Sequence, residues 1–374
     1  MQRRIVISLG LLVSIFVLIL LLMGCDRDSI KLKTDCIGVI ETADNYKYSG
    51  ISWYDNHLNY VGCKKISIPN MTSTVNKTIK KGDKVYLISN DTGKTSTKSK
   101  VVIINMKSNG NYKVYNSSRY INDMVVDKDL YTISSEYLGI NVSFIDKIGD
   151  KNKKIATLKI DGVVLSKIYA YKGLLYLTGF GYDDQDRVFS KMFVVDSSSM
   201  RIVKSMDISS LVVDVTDMHV FDNWLYIGGR TKANCKGEEV ENRSLVKMNL
   251  DTYEMDDIYI GDIVGQFIEG VQSDEGKYIM FSNYDVVFDK GDSIYRVDLK
   301  SNKVKKQQVA DIVRDVIVDR KCMYIMGEKY LCKYTWKNDM DFWESNGNLI
   351  KKVKLNRIFN NRYSVHTCFI VYFL

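Results

Sequence analysis

Gly181-Tyr182-Asp183-Asp184-Gln185-Asp186-Arg187 places three carboxylates, a guanidinium and a phenol ring within seven residues. Carboxylate oxygens this close are the raw material of a calcium site, but the distal bidentate glutamate of a calcium loop is missing. A solvated acidic turn is the plainer reading, and the same holds for the Lys236–Arg243 segment around Glu238. The three histidines, His57, His219 and His366, show no ligand spacing, so no metal or other cofactor is expected. His219 falls inside an apolar strand and reads as a packed core residue. A Gly-x-Ser-x-Gly nucleophile elbow does not occur. The cysteines lack any metal or redox spacing. Cys36 with Cys63 is one candidate disulfide and Cys322 with Cys332, across a hairpin, a second; simple packing competes with both.

What remains is a set of loop residues that pair planar rings with charge: Tyr182, Asp184, Arg187, Arg230, Lys232 and Tyr284. They lie on three long, variable loops, and binding groups are disproportionately carried on loops held by a rigid scaffold. The scaffold shows itself as a repeat. Tyr86, Tyr131, Tyr176, Tyr226, Tyr278 and Tyr324 stand in like phrases, such as "GLLYLTG" and "WLYIGG", at intervals of 45, 45, 50, 52 and 46 residues. A near-constant period in this range marks one supersecondary unit repeated.

Each period carries four strand signals. A branched apolar stretch ends in a turn, with Asp127, Asp222 and Asp274 each four residues before the aligned tyrosine. The tyrosine strand follows, then the variable loop. A third strand ends near Asn105, Asp146, Asp196, Asn249 or Asp298, and the fourth alternates or is strongly polar. Apolar inner strands and polar outer ones, repeated every 45–52 residues, predict an all-β fold, a β-propeller of four-stranded antiparallel blades. Seven blades are expected, with six or eight as alternatives. Tyr372 lies one further period, 48 residues, beyond Tyr324. The tail "RYSVH…CFIVYFL" is therefore expected to give the first two strands of a closing blade, buried through Ile370, Val371, Tyr372 and Phe373. "GISWYDN" and "CKKISIP" would supply its third and fourth, so that paired N- and C-terminal strands close the ring.

The third- and fourth-strand pattern resembles the repeats of quinoprotein-like and WD40-like propellers, over about residues 72–355. The tryptophan and Thr-Gly signature of the first and the Gly-His and Trp-Asp pairs of the second are missing. Ser89–Thr95, "SNDTGKT", resembles the Asp-box turn of sialidase propellers. It occurs once, in the wrong loop, with Ser96 where an aromatic belongs, and reads as an ordinary glycine turn.

The N-terminus resembles a bacterial lipoprotein precursor: Arg3 and Arg4, an uncharged apolar run from Ile5 to Met23, then Leu22-Met23-Gly24-Cys25 as a lipobox. The resemblance implies a signal peptide over 1–24, acylation (palmitate-type) of Cys25, a short tether over 25–35, and a single propeller domain over 36–374. The chain would be exported and lipid-anchored on the outer side of the bacterial cell membrane. An uncleaved membrane helix is the alternative, since the run is long enough to span. The net charge of +8 is spread without long runs and fits a solvated surface rather than nucleic-acid binding. The expectation is a monomeric, non-enzymatic binding or scaffold protein that presents a propeller face to an envelope protein, peptide or glycan. The alternative is a propeller enzyme acting on a glycan or using a quinone. Convergent carboxylates of shifted pKa at the channel mouth would favour the enzyme; an exposed apolar or aromatic patch would favour the binder.

Overall fold

The computed structural model describes residues 36–371 apart from 44–47, 67, 69–77, 91–98, 107–110, 137–140, 150, 274–275, 310, 319–321, 336–348 and 356–362. The lipobox, Cys25 and the tether, the turn residues Asp274 and Asp319, and Tyr372 and Phe373 lie outside the described residues. Seven four-stranded antiparallel sheets form a seven-bladed propeller. Blades one to six run in order through residues 79–116, 121–161, 164–207, 215–259, 267–308 and 315–354. Their first strands touch in succession around the centre, and the first strand of blade six, Asp315–Val318, touches Tyr363–Val371 of the closing blade. Among the described residues no helix is long and apolar enough to cross a membrane.

Closure differs from the expectation in its count. The closing blade takes one strand from the tail, Tyr363–Val371, and three from the N-terminal region: Cys36–Ala43, Ser49–Asp55 and Tyr60–Ile66. The expected tail hairpin does not form. Tyr363 to Val371 contains no glycine, asparagine or proline to turn it, and it runs straight on. "CIGVIETA" fills the second position instead, with Cys36 opposite both Val371 and Asp55. The side chains of Ile370 and Val371 lie outside the described residues, as do those of the remaining tail.

The repeated tyrosine has a packing role. Tyr86, Tyr131, Tyr176, Tyr226, Tyr278 and Tyr324 are all buried in second strands. Tyr131 packs with Leu175 and Phe193 of blade three, Tyr176 with Val215 and Met248 of blade four, and Tyr226 with Ile279 and Phe281 of blade five. Tyr324 reaches Ile37 and Tyr54 of the closing blade. Each of these rings, and Tyr86 with Ile121 and Met124 of blade two, is thus a wedge between its own blade and the next. Cations of the third strand lie over several of them: Lys147 lies 5.7 Å from the Tyr131 ring and Arg296 4.3 Å from that of Tyr278. Burial pushes the Tyr176 hydroxyl up to about 12.

The turn chemistry follows the recurring acids and amides. Asp222 and Asn223 both take positive φ, 50° and 65°, as a two-residue turn matched to strand twist requires. Asp298 Oδ1 accepts the N–H groups of Lys300 and Ser301 at 2.9 and 2.8 Å, and Asn249 Oδ1 those of Asp251 and Thr252 at 2.9 and 3.1 Å. Asp196 accepts from Ser198 and Ser199, which hold its carboxyl down at about 2. Asp146 departs from this pattern. It is buried two residues short of its strand end and takes the Thr157 hydroxyl at 2.5 Å.

Candidate functional site

Up-and-down pairing puts the second-to-third-strand loops and the interblade connections on one face, here called the upper face. The first-to-second and third-to-fourth turns make the lower face. Cys36 pairs with Asp55, next to the third-to-fourth turn at Asn56-His57, so the described chain begins at the lower face. All six candidate residues lie on the upper face, on blades three, four and five.

On blade three, Tyr182 ends the second strand Leu174–Tyr182 with 55% of its surface exposed. Asp183 closes the turn on itself, accepting the N–H groups of Gln185 and Arg187 at 2.9 and 3.0 Å and the Arg187 guanidinium at 2.7 Å. These contacts, Arg187 foremost, hold the Asp183 carboxyl below its usual range. Asp184 points to solvent. The candidate calcium loop is thus an arginine-closed turn, and among the described residues no three metal-ligating side chains gather.

On blade four, the loop forms its own small hairpin, Thr231–Ala233 with Glu239–Glu241, in which Lys232 stands opposite Val240. Val188 N–H donates to the Gly237 carbonyl at 3.0 Å, which ties this hairpin to the blade-three loop. Arg230 is not a free cation. It is paired with Asp214 and, at 3.4 Å, with Asp285 of the blade-five loop, a carboxylate only 1% exposed. Burial pushes Asp214 up even so. On blade five, Tyr284 donates its hydroxyl to Asp289 at 2.8 Å, and Arg314 of the next interblade connection lies on the same carboxylate. Burial and Asp289 push the Tyr284 hydroxyl up.

The Tyr284–Lys290 tip is therefore strapped from both sides, by Arg230 on Asp285 and by Arg314 on Asp289. It is also closed on itself by the Asp285–Lys290 bridge. What it holds out is apolar: Val287 and Phe288 are 59% and 67% exposed. Sequence reasoning passed over this tip, although Val286-Val287-Phe288 is a run of apolar residues inside a loop.

The strapping changes what a substitution reports. An Arg230→Glu change has the sign of a surface probe, but it leaves Asp214 and the buried Asp285 facing a third carboxylate. The expected result is a loss of about 1–3 kcal/mol of stability, read as a lower urea midpoint. A variant as stable as the parent would show that the straps carry no energy.

The central channel has its own repeat. The first strands of blades two to five each contain a bulge, at Asn122, Ser166, Thr216 and Ile268. Asn122 and Thr216 donate to the carbonyls of Leu165 and Val264 in the following interblade connection or strand, both at 2.6 Å. The next residues, Asp123 and Asp217, accept N–H groups from the following blade, Ile168 at 3.1 Å and Phe267 at 3.0 Å. Bulge and acid thus form a two-way clamp between blades, and these two carboxylates are engaged by protein groups. Glu269, at the same position in blade five, is solvent-open, and partial desolvation by the channel walls raises its carboxyl above the usual range. His219 is half-buried, its ring centroid 6.2 Å from that of Tyr169 and 6.1 Å from that of Phe267, as a packed residue would be. Cys235, Cys322 and Cys332 are free thiols. Both candidate disulfides fail on register: Cys63 stands opposite Ser52, a strand away from Cys36, and Cys332 opposite Ile325 rather than Cys322.

No family model and no curated protein matches the chain. Solved structures do. A Bacteroides uniformis protein provisionally assigned as a 6-phosphogluconolactonase aligns over 91% of this chain and 100% of its own, with 12% identity and a TM-score of 0.60. A Bacteroides fragilis protein of the same provisional assignment aligns over 91% and 99%, with 12% identity and a TM-score of 0.55. The periplasmic gluconolactonase of Pseudomonas aeruginosa covers 91% and 99%, with 9% identity and a TM-score of 0.58. At this level of identity the likeness is one of fold, and the fold is the seven-bladed β-propeller.

Proposed function

We propose that this chain is an extracytoplasmic, lipid-anchored propeller that binds an envelope partner on its upper face. One observation carries the reading: an apolar tip, Val287-Phe288, is held out in solvent by ion pairs from blade four and from the connection to blade six. A soluble surface gains nothing from such an arrangement, whereas a binding surface gains an anchor whose ordering cost is already met. The anchor reading fits the topology. A tether leading into Cys36 reaches the lower face, so the upper face is turned away from the membrane and left open.

A second reading comes from the lactonases among the similar folds. Hydrolysis of a sugar lactone calls for an acid or base, and Glu269, solvent-open in the channel with its carboxyl pushed up, is the group that favours it.

Photocrosslinking in intact cells separates the two. A crosslinking amino acid at position 182 or 288 is expected to give a discrete partner adduct, and one at Lys300 on the lower face is not. A Cys25→Ala chain is expected to leave the membrane fraction. Equal adducts from both faces would remove the binding reading, and lactone hydrolysis abolished by Glu269→Gln would establish the second.

A further inference from the structure

We propose that the upper face of blades three to five takes a cationic polypeptide segment carrying an apolar side chain that packs on Val287 and Phe288. The inference rests on the reading of this face as the binding surface and adds the chemistry of what it binds.

The apolar part has a stated shape. Val287 and Phe288 are neighbours at a hairpin tip, and Tyr182 on blade three and Val240 on blade four expose 55% and 36% of their surface on the adjoining loops. These loops are joined to one another through Val188–Gly237 and Arg230–Asp285, so the three blades present one continuous support. Aromatic and aliphatic groups held in place are the usual energetic centre of a protein interface.

The charged part selects the partner. The six loops that build this face, residues 183–187, 208–214, 230–243, 260–266, 283–292 and 309–314, carry twelve carboxylates and seven cations, in a chain whose net charge is +8. The acidic excess is therefore local. Most of the cations are already committed: Arg187 to Asp183, Arg230 to Asp214, Arg243 to Glu241 and Arg314 to Asp289, with Lys290 over the Phe288 ring at 5.0 Å. Asp184, Asp186, Glu238 and Glu239 are exposed, and among the described residues none of them has a cationic partner. A surface of this kind steers cations toward it and repels nucleic acid, anionic lipid headgroups and phosphorylated sugars. The combination of an apolar anchor with uncompensated carboxylates matches a polypeptide that alternates basic and apolar side chains.

The test uses the full chain in zwitterionic nanodiscs. The probe is a fluorescein-labelled twelve-residue peptide of alternating Lys with Leu or Phe, followed by anisotropy. Its counterpart with Glu for Lys, and phosphatidylglycerol vesicles followed by flotation, are the competing arms. The lysine peptide is expected to bind, and the glutamate peptide and the vesicles are not. Val287→Ser with Phe288→Ser is expected to weaken binding at least tenfold at an unchanged melting temperature, because both side chains are solvent-exposed. Asp184→Lys with Glu238→Lys is expected to weaken it as well, and raised salt to do the same. No binding of the lysine peptide, equal binding of the glutamate peptide, indifference to the tip variant, or flotation with the vesicles would each overturn the inference. A partner adduct from position 288 alongside any of those results would leave the binding face standing and remove only its proposed chemistry.

Discussion

A chain lacking residues 363–374 will aggregate or be degraded rather than accumulate as a folded monomer. Tyr363–Val371 is the innermost strand of the closing blade and pairs along the whole of Cys36–Ala43. Without it, "CIGVIETA" becomes an open edge with no lysine or proline to blunt pairing with another chain. The strand left at the edge carries Ile37, Val39 and Ile40, buried in two core clusters, one shared with blade six and one with blade one, so its fraying uncovers them. Uncovering a large apolar side chain costs roughly 1.5–3 kcal/mol, and a domain holds about 5–15 kcal/mol in all. Loss of a few such contributions therefore reaches the size of the total. Size-exclusion chromatography with a thermal melt checks the result. A truncated chain that elutes as a monomer and melts where the parent does would show that the ring does not depend on this closure.

Tyr226→Ala is expected to cost about 3–5 kcal/mol, the range for removing a large buried ring. Tyr226 is buried among Leu245, Val264, Ile279 and Phe281, so its loss opens a cavity between blades four and five rather than inside one blade. Rigid sheets on either side leave little that can collapse into the gap. Tyr226→Phe keeps the ring, removes only the hydroxyl, and is expected to stay within about 1 kcal/mol of the parent. Urea unfolding is the measurement: a lower midpoint at unchanged slope reports stability alone. Equal midpoints for the alanine and phenylalanine variants would mean that the repeated ring is not the wedge described above.

The propeller was legible because the repeated tyrosine is fixed by packing between blades, and packing of that kind repeats with the blade. The turns at Asp222-Asn223, Asn249 and Asp298 were legible because their backbone geometry calls for those residue types. The closing blade was misread in one strand. A period carried by tyrosine pointed to Tyr372, whereas the second-strand position in that blade belongs to "CIGVIETA", where Gly38 stands opposite Trp53 and Phe369. The clamp acids were open to the same reading. Asp123 and Asp217 lie eight and nine residues before an aligned tyrosine, a spacing as regular as that of the turn acids.

The upper face was less legible for a different reason. The long loops of blades three to five could be found by length and composition, and all six candidates lie on them. What each side chain does there depends on partners far away in sequence. Arg230 meets Asp285 across 55 residues, and Arg314 meets Asp289 across 25. Charge spacing along the chain gives no hint of either pair. The exposed tip was the reverse case: its signal was local, and only the knowledge that blade five holds it away from any core gave it meaning.

The closing blade also sets an order of events. Ile37 pairs with Ile370, so a strand near the front of the domain waits for one near the end of the chain. Blades one to six are each assembled from neighbouring strands and can form as the chain emerges. The seventh cannot, and contacts of such long sequence separation form late and slowly. For a polypeptide made from its N-terminus, the first strands of the domain to appear are the last to be completed. Throughout that interval "CIGVIETA" is an apolar strand with one unpaired edge on an otherwise folding protein. Folding of this chain is thus a race between ring closure and misassociation, and whatever shields the Cys36–Ala43 edge until Tyr363–Val371 arrives decides its yield.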